Sequence, residues 1–132
     1  SADQDVQMGV TIAEKVLLGV DAMKATGVPR VIVGGAMPRT GKGTYGAAMF
    51  EEDPSDEMCA WFQKRSVIIT ASFNRCLKAG LRVRQGVDFR KKKGLIEHWE
   101  GMLEDGVHLR RCHQYTFYKC VRGALIHHSK AF

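Results

Sequence analysis

After Pro54 the chain contains no further proline, and no other single feature constrains its fold as much. Proline removes a backbone donor and fixes φ, so it interrupts helices and central strands. Without it, the segment after Pro54 reads as continuous folded structure. That segment is also the basic part of the chain. Residues 58–132 carry fifteen Lys and Arg against five Asp and Glu, a net charge of +10; residues 1–57 carry five against nine, a net of −4. Such an asymmetry points to an anionic partner for the basic half. The 132 residues fit one domain, 1–132, and a hydrophobic content of 45% supplies a core that a disordered chain lacks. No apolar run approaches the roughly 20 residues needed to span a bilayer, so no membrane span is expected.

The local patterns predict an α+β fold. Residues 1–7 read as a flexible lead. From Met8 to Ala25, Ile12, Val16, Leu17, Val20 and Met23 recur at helical steps. Val31–Val33, between Pro29 and Gly34-Gly35, reads as a short strand. The Gly41-Lys42-Gly43-Thr44 that follows resembles the phosphate loop of adenylate kinases. However, Ala36 stands where the first glycine belongs and Pro38 removes an amide, so a mobile glycine-rich loop is the better reading. Asp53-Pro54-Ser55-Asp56-Glu57 is a helix start, with Asp53 or Ser55 as cap and acids at the positive end of the dipole. The β-branched run Ser66–Phe73 is either a buried strand or the same helix continuing, and the strand is favoured. Leu81-Arg82-Val83-Arg84 alternates as a half-exposed strand does. Residues 95–105 form a helix, or a strand that turns back at Asp105-Gly106. Val107–Val121 predicts one long strand, with Tyr115, Phe117 and Lys119 facing one way and Arg110, Cys112 and Tyr118 the other. The expected architecture is two or three helices with an antiparallel sheet mainly in the C-terminal half.

Two constellations carry chemistry. The first is basic: Arg82 and Arg84, the run Arg90-Lys91-Lys92-Lys93, and Arg110, Arg111 and Lys119 with Tyr115 interleaved. Lys and Arg displace the counterions of phosphates, and flat side chains stack on unpaired bases. Together they predict binding of RNA or another polyanion, with single-stranded RNA favoured. A third class of function is homo-oligomerisation through the oppositely charged halves. The chain opens on Ser1 and not on methionine, which fits release from a longer precursor such as a viral polyprotein.

The second constellation is thiol chemistry. Cys59, Cys76, Cys112 and Cys120 contain no CxxC pair, and SADQDV has no signal-peptide character. Free thiols in a reducing, cytoplasmic compartment are therefore expected. Cys112, His113 and Cys120 with His127 or His128 have ligand chemistry, but their spacing fits no common zinc pattern; no metal and no cofactor are expected. Cys59 falls near a helix start, where the dipole favours a thiolate. Cys59-Ala60-Trp61-Phe62 resembles the cysteine-any-Trp-aromatic motif of CHAP-type amidases. His98-Trp99-Glu100-Gly101-Met102-Leu103-Glu104-Asp105-Gly106-Val107-His108 resembles the H-box of NlpC-type peptidases, of lecithin:retinol acyltransferase-like proteins and of the H-box/NC non-structural proteins of some picornaviruses. That resemblance implies a β-hairpin, with Cys59 as nucleophile and His98 or His108 as base of a hydrolase or acyltransferase. The family's Asn-Cys box is absent, since Asn74-Arg75-Cys76 and Tyr118-Lys119-Cys120 only approximate it, and this fits a degenerate member as well as an active one.

Overall fold

The computed structural model describes residues 1–38, 53–88, 103 and 108–129. Within them the chain runs α1 (Ala2–Ala25), β1 (Ile32–Val33), α2 (Asp56–Val83), β2 (Val87–Asp88) and α3 (Arg111–Ser129). The helices hold 24, 28 and 19 residues, while each strand holds two. The α+β fold with an antiparallel sheet in the C-terminal half does not hold. The described residues are mainly helical, and their one sheet is the parallel pair β1–β2, in register Ile32 with Val87 and Val33 with Asp88.

Local capping sets where α1 and α2 begin. Ser1 and Gln4 form a reciprocal box: the Ser1 hydroxyl accepts from the Gln4 amide at 3.3 Å, and the Ser1 nitrogen donates to the Gln4 side-chain oxygen at 3.1 Å. The helix expected from Met8 therefore begins at Ala2, and the segment expected as a lead is its opening turns. Ser55 caps α2, accepting from the Met58 amide at 3.1 Å, with Asp56 and Glu57 in the first turn.

The two long helices lie side by side and parallel. Asp5 meets Arg65, Val6 meets Ser72 and Asp21 meets Arg84, at sequence separations of 60, 66 and 63. An offset that stays within six residues along the pair is the mark of parallel helices. Parallel strands need a crossover, and α2 provides it between β1 and β2. Gly9 and Gly80 allow the close approach. A Cβ on Gly9 would lie 2.4 Å from the Ile69 carbonyl oxygen, and one on Gly80 would lie 2.2 Å from Leu17. The core forms at this seam from Ala13, Leu17, Val20, Val31, Leu77 and Leu81, with Val16, Val28, Val33, Phe73 and Cys76 packed against it.

Three strand expectations fail for one reason: the packed stripe has helical and not alternating period. Ser66–Phe73 is the middle of α2, where Ile69 and Phe73 continue at steps of four to the buried Leu77, Ser72 donates to the Val6 carbonyl of α1 and Val67 faces out. Leu81–Val83 is the last turn of α2; Leu81 is 2% exposed and Val83 82%, as opposite sides of a helix end. The long strand expected over Val107–Val121 is largely α3. There His113, Thr116, Phe117, Cys120, Val121 and Ala124 are half-buried at steps of three and four. Of the segment expected over 95–105, only Leu103 is described, and it forms an antiparallel bridge with Leu109.

Candidate nucleic-acid interface

Forming Arg111–Val121 as a helix, and not as a strand, changes which side chains are neighbours. A strand separates Tyr118 from Tyr115; a helix places residues three and four apart on one face. Tyr115, Tyr118, Lys119 and Arg122 line the exposed side of α3. The two tyrosine rings stack with centroids 6.0 Å apart and planes 26° from parallel. Lys119 Nζ lies 5.0 Å from the Tyr115 ring centre, and Arg122 Cζ lies 5.7 Å from that of Tyr118. Tyr115 and Tyr118 remain 59% and 53% exposed within this ladder. Leu125 and Ile126 continue the exposed face toward the helix end.

The start of α3 is unusual in charge. The Arg110 carbonyl accepts from the His113 amide at 2.8 Å and the Gln114 amide at 3.1 Å, which opens the helix. Arg111 is its first residue, and no acid lies in the first turn. Helix N-termini favour negative charge, so two arginines at this end oppose the local preference. Departures of this kind are expected where function overrides local stability.

Other expected site residues are placed differently. Arg84 is the C-cap of α2, and its fork is occupied: Nε donates to Asp21 Oδ1 at 2.6 Å, Nη2 to Asp21 Oδ2 at 3.1 Å and Nη1 to the Gly80 carbonyl at 3.0 Å. The Arg84 hydrogen bonds hold the Asp21 carboxyl below its ordinary range, and Asp21 raises the Arg84 guanidinium in turn. Lys24 also donates to the Arg84 carbonyl. Arg82 is exposed on the last turn of α2, on the outer face of the helix. Arg90, Lys91, Lys92, Lys93, His98 and the Gly41–Thr44 loop lie outside the described residues.

For the thiol reading, Cys59 does sit in the first turn of α2, half-buried, with its amide bonded to the Ser55 carbonyl at 2.9 Å. His108 is an exposed residue just before the Leu109 bridge. Cys76 packs on the core, whereas Cys112 is exposed on α3. Among the described residues, no group of three or more His, Cys, Asp or Glu side chains converges as a metal site would. Nor is any helix there long and apolar enough to cross a membrane.

Two features escaped sequence reasoning. Arg122, outside the expected strand pattern, completes the ladder. On α2, Lys64, Arg75, Lys78 and Arg82 share one exposed face. Reading residues 66–73 as a strand splits that face in two; a helical wheel run unbroken from Asp56 to Val83 recovers it. A cleft of about 390 Å³ opens near the N-termini of α1 and α2, lined by Ser1, Gln4, Asp5, Trp61, Lys64 and Arg65 among others. Its buried carboxylate, Asp5, already accepts from Arg65 at 3.0 and 3.1 Å. No family model, curated protein or solved structure matches this chain.

Proposed function

We propose that this protein binds single-stranded RNA through the outer face of α3. The stacked, cation-flanked tyrosine ladder of Tyr115, Tyr118, Lys119 and Arg122 carries the reading. Its rings are half-exposed and already held by neighbours, so less side-chain freedom is lost when a base stacks on them. Lys119 and Arg122, with Arg110 and Arg111 at the helix start, put positive charge where the phosphates of a stacked strand would run. The helix dipole adds to that field at the N-terminal end. The run Arg90–Lys93 belongs to the same reading by charge alone.

Titration of a labelled single-stranded RNA at rising salt tests this. Affinity falls linearly on log–log axes, with a slope near −0.7 for each phosphate neutralised. Tyr115→Ala and Tyr118→Ala each lower affinity about tenfold, in line with the 1–3 kcal/mol typical of base–aromatic stacking. Phenylalanine at either position retains the stack and most of the affinity. Absence of binding at low salt, or alanine variants that bind like the parent, overturns the reading.

A further inference from the structure

The solvent face of α2 is a straight basic stripe with no acid. Lys64, Arg75, Lys78 and Arg82 follow one another at intervals of eleven, three and four residues, which a period of 3.6 brings onto one side. All four are exposed, and so are Ala60, Val67 and Ala71 between them. Asp56 and Glu57 in the first turn are the only acids of the helix, so none follows along the stripe. Among the described residues the four cations have no ion-pair partner; the pairs there are Arg65–Asp5 and Arg84–Asp21. At 1.5 Å per residue the stripe spans about 27 Å.

The cations of α2 therefore divide by face. Arg65, toward α1, is bonded to the buried Asp5 carboxylate, and Arg84, at the C-cap, to Asp21. The outward cations hold nothing in the fold together. Long side chains of one sign, interleaved with alanines, leave a flat face that an extended chain of phosphates can approach. The stripe also carries no aromatic, unlike α3. The nearest aromatic, Trp61, lies beside the stripe at its Lys64 end with Arg65 over its ring, so the stripe itself offers charge alone.

We infer that this face of α2 is a second binding site, which takes the sugar–phosphate backbone of RNA and does not contact its bases. The inference rests on the proposed RNA function only for the identity of the polyanion. The two surfaces differ in what they read: the α3 ladder requires bases, and the α2 stripe requires only phosphates in a row.

Inorganic polyphosphate, which has no bases, separates the two. The full chain binds polyphosphate at low salt. The variant Lys64→Gln/Arg75→Gln/Lys78→Gln/Arg82→Gln binds it at least tenfold more weakly, while Tyr115→Ala/Tyr118→Ala binds it as the parent does. Glutamine keeps helix propensity close to that of Lys and Arg, so the quadruple variant retains the parent's circular dichroism and Tm. On single-stranded RNA the quadruple variant loses about 2.8 of the log–log salt slope, from four contacts at about 0.7 each. Lys78→Gln is compared with Lys15→Gln, an exposed cation on α1, which controls for total charge; only the former weakens polyphosphate binding. Should the α3 reading fail, the tyrosine variants bind RNA normally while the α2 variants still lose polyphosphate. The α2 site is overturned if the parent ignores polyphosphate, if the folded quadruple variant binds it unchanged, or if Lys15→Gln weakens it as much as Lys78→Gln. It is equally overturned if the parent binds only phosphatidylserine vesicles, and neither polyphosphate nor RNA.

Discussion

The α1–α2 pair and α3 use the same residue types to opposite ends. Where the two helices of the pair meet, cations are consumed by the fold. Arg65 secures the buried Asp5, Arg84 takes both oxygens of Asp21, and Lys24 caps the α2 C-terminus through the Arg84 carbonyl. The interhelical seam is close enough that glycines occupy it and buried Leu77 and Leu81 fill it. On α3, cations lie over tyrosine rings on an exposed face, and no acid appears in the whole helix. The lesson is that a basic residue's environment, more than its position in a run of charge, decides whether it serves the fold or a ligand.

Several measurements break or sharpen that contrast. The largest effect is in the seam: Leu77→Ala, at 1% exposure, costs about 2–5 kcal/mol in denaturant unfolding. Leu125→Ala on α3, at 54% exposure, stays within about 0.5 kcal/mol. Equal costs at the two sites would mean that α3 is as deeply packed as the pair.

Glycines give the next contrast. Gly9→Ala drives a Cβ into the α2 backbone and costs about 1–3 kcal/mol, more than the roughly 1 kcal/mol gained in helix propensity. Gly123→Ala on α3 meets nothing within 4 Å and gains up to about 1 kcal/mol in thermal unfolding. A stabilising Gly9→Ala would show that the helices stand farther apart than described.

Arginines test the division of labour directly. Arg84→Gln lowers Tm and leaves RNA affinity unchanged. Arg122→Gln leaves Tm unchanged and lowers the salt slope of RNA binding by about 0.7. If the outcomes reverse, the assignment of fold and ligand roles is reversed as well.

The Asp21–Arg84 pair also predicts a modest pH effect. The Asp21 carboxyl is lowered in the folded state, so its contribution is complete above the ordinary carboxylate value of about 3.9. It disappears as pH falls through the lower folded value. The Tm difference between the parent and Asp21→Asn is therefore constant at neutral and mildly acidic pH and shrinks below about pH 4. A constant difference down to pH 2 would dissociate Asp21 from the pair.

The smallest effect is kinetic. Brief iodoacetamide treatment of the native protein, read by mass spectrometry, alkylates the exposed Cys112 first and the core-packed Cys76 last. If Cys59 outpaces Cys112, its placement in the first turn of α2 has produced a reactive thiolate, and the thiol chemistry implied by the H-box resemblance becomes the leading function.

The start of α2 was legible because it depends on neighbours in sequence, whereas the Ser1–Gln4 box that starts α1 was passed over as a flexible lead. Ser55, Asp56 and Glu57 mark the beginning of α2 by a side-chain cap and dipole charge, interactions that close within one turn. The strand within Val31–Val33 was legible from its flanking proline and glycines, although its parallel partner was not. The interiors were misread because their residues fit two periods at once. Ser66–Phe73 is β-branched enough for a strand, and its half-buried Ile69 and Phe73 also share a helical face with Leu77. Val107–Val121 alternates polar and apolar residues, yet Phe117, Cys120, Val121 and Ala124 form an equally good helical stripe. The error carried over to the site. Tyr115, Lys119, Arg110 and Arg111 were found from composition, but the Tyr115–Tyr118 stack and the α2 stripe exist only on helices.

The sequence by itself determined the charge division, the capped start of α2 and the types of residue available to meet a polyanion. These depend on composition and on contacts within one turn. Only the tertiary structure decided that α1 and α2 run parallel, that Arg65 and Arg84 are held by carboxylates about sixty residues away, and that tyrosines three apart become one surface. The physical reason is that intrinsic propensities differ by less than about 1 kcal/mol per residue, while burying a single large apolar side chain stabilises by about 1.5–3 kcal/mol. Where local preferences nearly tie, packing of the buried stripe sets the period, and the period sets which side chains meet.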